Sequence, residues 1–191
     1  MSKRLIMIHE IDEKTANSIL QITSPDTDVL FWDDALFSQY IHIPKFRNFL
    51  NVVGVSSGIT NEATEQRKKK KPTIDINCVE ARKNYNMFND ATSYMTWEEI
   101  RNLQRHKVII AAHGHYHRDL RKIESTAPLL RAVLKKINYM RTAFNTKLGY
   151  YPKVYVFPYN YENPVMKSLL STSGISKFYG NERIPIENLL S

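Results

Sequence analysis

Five short apolar runs, most of them stopping on polar residues, constrain this chain more than any other feature of it. Leu5–Ile8 stops at His9-Glu10, Asp28–Trp32 at Asp33-Asp34, Val108–Ala112 at His113, and Val154–Phe157 at Pro158-Tyr159, with Phe49–Val55 between them. Runs so brief and so uniformly apolar read as strands buried on both faces, as in a parallel sheet. Helical spacing falls in the gaps. Ile11–Ile22 can set Ile11, Ala16, Ile19 and Leu20 on one face before Pro25. Thr96-Trp97-Glu98-Glu99 opens another helix with a capping box, and Ile100 and Leu103 supply its inner face. Ala127–Phe144 sets Leu130, Val133, Leu134, Ile137 and Met140 against Lys135, Lys136 and Arg141, with Gly149 as its stop. Val165–Leu170 is a short helix closed by Gly174, and Ile175–Tyr179 and Arg183–Ile186 are extended. The alternation predicts an α/β fold whose parallel strands present their carboxyl ends on one shared face.

With 191 residues, 42% hydrophobic and 24% charged, the chain is expected to form one domain, residues 1–191, with a sizeable core. No apolar run approaches the ~18 residues that span a bilayer. The run after Lys3-Arg4 is a first strand rather than a signal peptide, which predicts a cytoplasmic protein. The single cysteine, Cys78, excludes an intramolecular disulfide and reads as a plain half-buried thiol. From about residue 56 to 89 the sequence is polar and charged, and reads as a loop insertion on the rim with a short strand at Thr73–Ile76. This insertion carries Arg67-Lys68-Lys69-Lys70-Lys71, a concentrated part of the net charge of +8. Such a run favours anionic partners or simply keeps a loop solvated.

Chemistry gathers at the strand ends. Three of the six histidines fall within His113-Gly114-His115-Tyr116-His117. Neutral imidazoles are common ligands of divalent transition metals, and a buried strand opening into a Gly-containing turn can aim two of them at one point. A histidine-rich surface turn that binds nothing fits the same residues. Asp33-Asp34 likewise has a plain reading as a helix cap before Ala35-Leu36-Phe37, and Pro158-Tyr159 as a turn that buries an aromatic ring.

Phe31-Trp32-Asp33-Asp34, then His113 to Leu120, then Phe157-Pro158-Tyr159-Asn160 resemble, in order, the first three motifs of the polysaccharide deacetylase family, carbohydrate esterase family four. Phe49–Gly54, Met95–Ile100 and Leu170–Tyr179 are similar to the frame around those motifs, so the likeness covers most of the chain. The resemblance implies a distorted (β/α) barrel with fewer than eight strands. It also implies a divalent metal, most often zinc, held by Asp34, His113 and His117. The implied reaction is removal of an acetyl or other small acyl group from an N-acylated sugar, glycan or sugar nucleotide. In it Asp33 takes the proton of the attacking water and the Tyr159 backbone N–H helps stabilise the oxyanion. The charge is compatible with a phosphate-bearing or nucleic-acid substrate, and no protein partner is identifiable.

Three departures pose questions for the structure. Ala35 stands where the family usually has Gly. Val156 stands where it commonly has Arg, so the group that orients Asp33 is absent or comes from another residue. No histidine follows His117, which leaves the leaving amine without the family's proton donor. His9, at the end of the first strand, and His115 are the candidates for that task, and the spacing also allows His115 as an outer neighbour of the metal or a third ligand. His106 precedes a strand and falls at the opposite end, and His42 has no clear placement. Two other classes remain. A metallo-β-lactamase-like hydrolase matches the alternate histidines but expects Asp-His where the chain has His117-Arg118. A basic nucleic-acid-binding module built on Arg67–Lys71 and Tyr85 leaves the polar strand ends without a purpose.

Overall fold

A computed structural model describes residues 2–119 and 126–190, so Leu120 of the histidine motif lies outside the described residues. Seven strands form one sheet: β1 Arg4–Ile8, β2 Asp28–Trp32, β3 Leu50–Val55, β4 Ile109–Ala112, β5 Val154–Val156, β6 Lys177–Tyr179 and β7 Ile184–Pro185. Their order is β6-β5-β4-β3-β2-β1-β7, and every neighbouring pair runs parallel. The helices are α1 Glu13–Ile22, α2 Phe37–His42, α3 Ser57–Gln66, α4 Cys78–Phe88, α5 Trp97–Arg105, α6 Thr126–Leu148, α7 Pro164–Thr172 and α8 Glu187–Leu190.

Alternation of side chains along the strands divides the apolar residues between two cores. Ile6, Ile8, Leu30, Trp32, Val53, Val55, Ile110 and Ala112 meet helical residues such as Ile19, Ile100, Ile137 and Phe144. Val29, Phe31, Val52, Ala111, Val154 and Val156 form a second cluster that no helix enters, on the concave face of the sheet. β6 and β7 are opposite edges of the sheet, yet residues 180–183 alone join them. Such a connection spans no more than about 18 Å, so the sheet curls until its edges approach each other. The result is a seven-stranded half-barrel, the distorted barrel with fewer than eight strands that the sequence implied.

The structure corrects several sequence expectations. Residues 56–89 are not a loop, because α3 and α4 occupy most of them, and Thr73–Ile76 is not a strand. The buried face of α3 consists of Ser57, Gly58, Ile59, Thr60 and Ala63, mostly small or polar, so it lacks the apolar stripe by which a helix is recognised. On α6, Val133, Ile137, Met140 and Phe144 are buried, but Leu130 and Leu134 are exposed and Lys136 is buried. Leu20 of α1 is also exposed. The capping box of α5 forms as expected, with Glu99 N–H donating to Thr96 Oγ1 and Thr96 N–H to Glu99 Oε2. No described helix is long and apolar enough to cross a membrane.

Candidate metal centre

Asp34 follows β2, and His113 and His117 follow β4, two strands away across β3. All three side chains are buried, and each offers a ligand atom within 4.8 Å of the others. Asp34 Oδ1 lies 3.1 Å from His117 Nε2 and 3.6 Å from His113 Nε2. His113 Nδ1 is 2.9 Å from the Val156 carbonyl oxygen, which can only accept, so Nδ1 carries a hydrogen and Nε2 is the nitrogen turned toward Asp34. His113 Nε2 and His117 Nδ1 are buried with no hydrogen-bond partner among the described residues. Burial pushes His117 down to about 3, outweighing the pull of Asp34, so its imidazole is neutral near pH 7. Burial opposes the charge on Asp34, but His117, His113 and Arg82 together hold its carboxyl well below the usual range. One carboxylate and two imidazoles that each bury an unpartnered nitrogen fit a divalent transition metal with coordination positions to spare.

The first turn of α3 clamps the histidine loop. Ser57 N–H donates to Gly114 O at 3.2 Å, Gly58 N–H to His115 O at 2.7 Å, and the Ser56 hydroxyl to His113 O at 2.9 Å. A side chain at Gly58 would meet Tyr116 Cε1 at 2.4 Å and His115 O at 2.8 Å, so only glycine permits this approach. Asp34, Ala35, His117, Tyr159 and Asn160 all have left-handed backbone, with φ between 50° and 74°. The φ of +53° at Ala35 explains why glycine suits that place, and alanine adopts it at a cost of roughly 1–2 kcal/mol.

The guanidinium that Val156 does not supply reaches Asp33 from Arg183. Its Nη1 donates to Asp33 Oδ1 at 2.6 Å and Oδ2 at 2.8 Å, its Nη2 to Asn160 Oδ1, and its Nε to Gly180 O. Both side chains are almost wholly buried. Arg183 sits on the connection between the sheet edges, so one side chain ties β7, the acid after β2 and the Pro158–Asn160 turn after β5 together. Gln39 reinforces this end by donating from Nε2 to the carbonyls of Asp33 and His9. His9 Nε2 stands 3.9 Å from Asp33 Oδ2.

His115 is not part of the metal group. Its Nδ1 lies 2.8 Å from Ser57 Oγ, its ring packs on Tyr116 and Tyr139, and burial pushes it down to about 4. Cys78 is half-buried, and burial, with Asp34 and Glu10 nearby, pushes its thiol up to about 12, as suits an unreactive cysteine. Arg67 pairs with Glu99 at 2.8 Å and lies 4.2 Å over the Phe37 ring, so the basic run loses its first member to the fold. Besides Arg183, the sequence reading missed Arg82 of α4, whose Nη2 donates to Asp34 Oδ2 at 2.8 Å. No local motif marks either arginine.

A curled parallel sheet with these residues at its strand carboxyl ends is a polysaccharide-deacetylase-like architecture, and its solved neighbours are deacetylases. A de-N-acetylase from Aggregatibacter actinomycetemcomitans is 16% identical with a TM-score of 0.61, covering 96% of this chain and 77% of its own. IcaB from Ammonifex degensii is 14% identical with a TM-score of 0.60, covering 96% and 93%. The Streptococcus pyogenes deacetylase PplD, solved in complex with acetate, is 9% identical with a TM-score of 0.60, covering 92% and 81%. At these identities the likeness establishes the fold. No protein-family model and no curated protein matches the sequence.

Proposed function

We infer that this chain is a metal-dependent hydrolase that removes an acetyl or other small acyl group from an N-acylated sugar or sugar-containing substrate. The observation that carries the reading is the meeting of two distinct carboxylates at one sheet end. Asp34 faces two imidazoles, and Asp33 is clamped by Arg183. The fold shared with deacetylases supports it.

Asp34, His113 and His117 would hold the metal, and zinc is the ion this donor set favours. When bound it polarises the acyl carbonyl and makes water a better nucleophile at neutral pH. Asp33 accepts the proton of the attacking water, with both its oxygens accepting from Arg183 Nη1. The Tyr159 N–H, carried on a left-handed turn, donates to the oxygen as the carbonyl carbon becomes tetrahedral. The C–N bond then breaks and the nitrogen takes up a proton. His115 is neutral near pH 7 and held against Ser57. His9 is partly open to solvent beside Asp33, so the proton donation falls to His9.

The test is acetate release from N-acetylated sugars and polymers by metal-loaded protein, with elemental analysis alongside. Asp33→Asn should keep the metal and lose roughly 10²- to 10⁴-fold in rate. His113→Ala and His117→Ala should lose most of the metal. Full metal retention in both histidine variants, or turnover untouched by Asp33→Asn, overturns the reading.

A further inference from the structure

The geometry points to Arg82 as the residue that selects a substrate bearing an anionic group, a carboxylate or a phosphate, on the sugar whose amide is cleaved. This deepens the proposed function and rests on it for the identity of the site. Arg82 projects from α4, the helix in the segment that reads as a loop in the sequence, and its guanidinium touches the outer oxygen of the carboxylate whose inner oxygen faces the two imidazoles. It also lies 5.1 Å over the ring of Tyr159, an exposed side chain on the turn after β5. Its side chain is 23% exposed, whereas Arg183 on the other aspartate is sealed at 0%.

A guanidinium has five N–H donors, and Arg82 spends one on Asp34. No other donor of Arg82 has a hydrogen-bond partner among the described residues, and none of its nitrogens is a buried orphan. The remaining donors are therefore neither spent on the fold nor sealed from solvent, and they belong to a guanidinium fork beside Asp34, the shape that binds carboxylate or phosphate in bidentate fashion.

Charge points the same way. The Asp33–Arg183 pair is neutral in sum, whereas a divalent ion at Asp34 more than cancels that carboxylate. Arg82 then adds a further positive charge beside the cation, which opposes metal binding, so holding the ion does not explain it. A neutral amide or hydroxyl group could orient Asp34 Oδ2 without that repulsion. An anionic group on the substrate both offsets the excess charge and fills the free donors.

Calorimetric titration of the zinc-loaded 191-residue chain tests this without requiring turnover. The probes are N-acetylglucosamine, its 6-phosphate, and N-acetylmuramic acid, which carries a carboxylate. The parent should bind one of the anionic sugars roughly 10- to 100-fold more tightly than the neutral one, the worth of a charged hydrogen-bonded pair. Which of the two it prefers separates phosphate from carboxylate. Arg82→Gln should abolish the preference at unchanged zinc content, and Arg82→Lys, a charge without the fork, should keep part of it. Equal binding of all three sugars by the parent overturns the proposal, as does a preference that survives Arg82→Gln. So does loss of zinc together with the preference, which would make Arg82 a positioning residue for Asp34. Absent acetate release would sink the deacetylase reading and leave this binding comparison intact.

Discussion

Among single residues, Arg183 bears the most on how the centre holds its shape. It is buried, and its guanidinium bonds Asp33, Asn160 and Gly180 together. Removing one partner of a buried pair leaves a charge stranded in a medium that cannot solvate it, at a cost of roughly 3–5 kcal/mol. Arg183→Met should lose about that much stability in urea and most of the turnover. Combining it with Asp33→Asn should cost clearly less than the two single losses together, because the double variant strands no charge. Strict additivity in that cycle would show that the pair is not coupled. The Asp34, His113 and His117 candidate group was legible in the sequence because its signal is local: two adjacent aspartates and a five-residue histidine stretch, each after an apolar run. Arg183 was not legible, since it stands 150 positions from Asp33 and only the curl of the sheet brings them together.

At the scale of elements, β1 to β5 were legible because burial makes them largely apolar runs, and α5 because its capping box is written in four residues. α3 was not, since its task is to press small residues and backbone amides against the histidine loop rather than to bury an apolar face. This gives Gly58→Ala a specific outcome. The added methyl meets the Tyr116 ring, which can move, and the His115 carbonyl, which belongs to the loop between the two candidate ligand histidines. We expect a loss of about 1–3 kcal/mol in stability, typical of overpacking, together with weaker zinc affinity in a competition titration. Adding Tyr116→Ala should recover only part of each. Full recovery would mean that the ring was the whole obstacle and that α3 does not set the position of the loop.

Across the whole molecule, buried titratable groups move the stability maximum toward alkaline pH, and the sign can be followed group by group. His115 drops from its ordinary 6.5 to about 4, mainly by burial, so between those values the unfolded chain binds the proton and stability rises with pH. Burial works against the charge on Asp28, but Arg4 and the Ser24 N–H hold it lowered overall, and the stability it gives is lost as acid protonates it. Lys136 falls from 10.5 to about 8 through burial and the nearby Arg118. From about 8 upward the unfolded chain keeps a proton that the fold has released, so stability goes on rising through that window. Tyr94 and Tyr155 act in reverse, because burial raises them above their ordinary 10 and the unfolded chain ionises first beyond that point. The net charge of +8 also shrinks as pH rises, which eases self-repulsion. Cys78, raised from its ordinary 9.0 to about 12, acts in reverse from still lower pH, and the raised Tyr85, Tyr116, Tyr150 and Tyr151 act in reverse as well. Together these effects place the maximum at about pH 8–9, at the alkaline end of the usual range of about 5 to 8. Chelator-treated protein should therefore melt at successively higher temperature near pH 5, about 7 and about 8.5, with His115→Gln flattening the lower limb and Lys136→Met the upper. A melting temperature that peaks near neutrality and has fallen by about pH 8.5 would mean that Lys136 keeps its proton in the fold and is paired rather than desolvated.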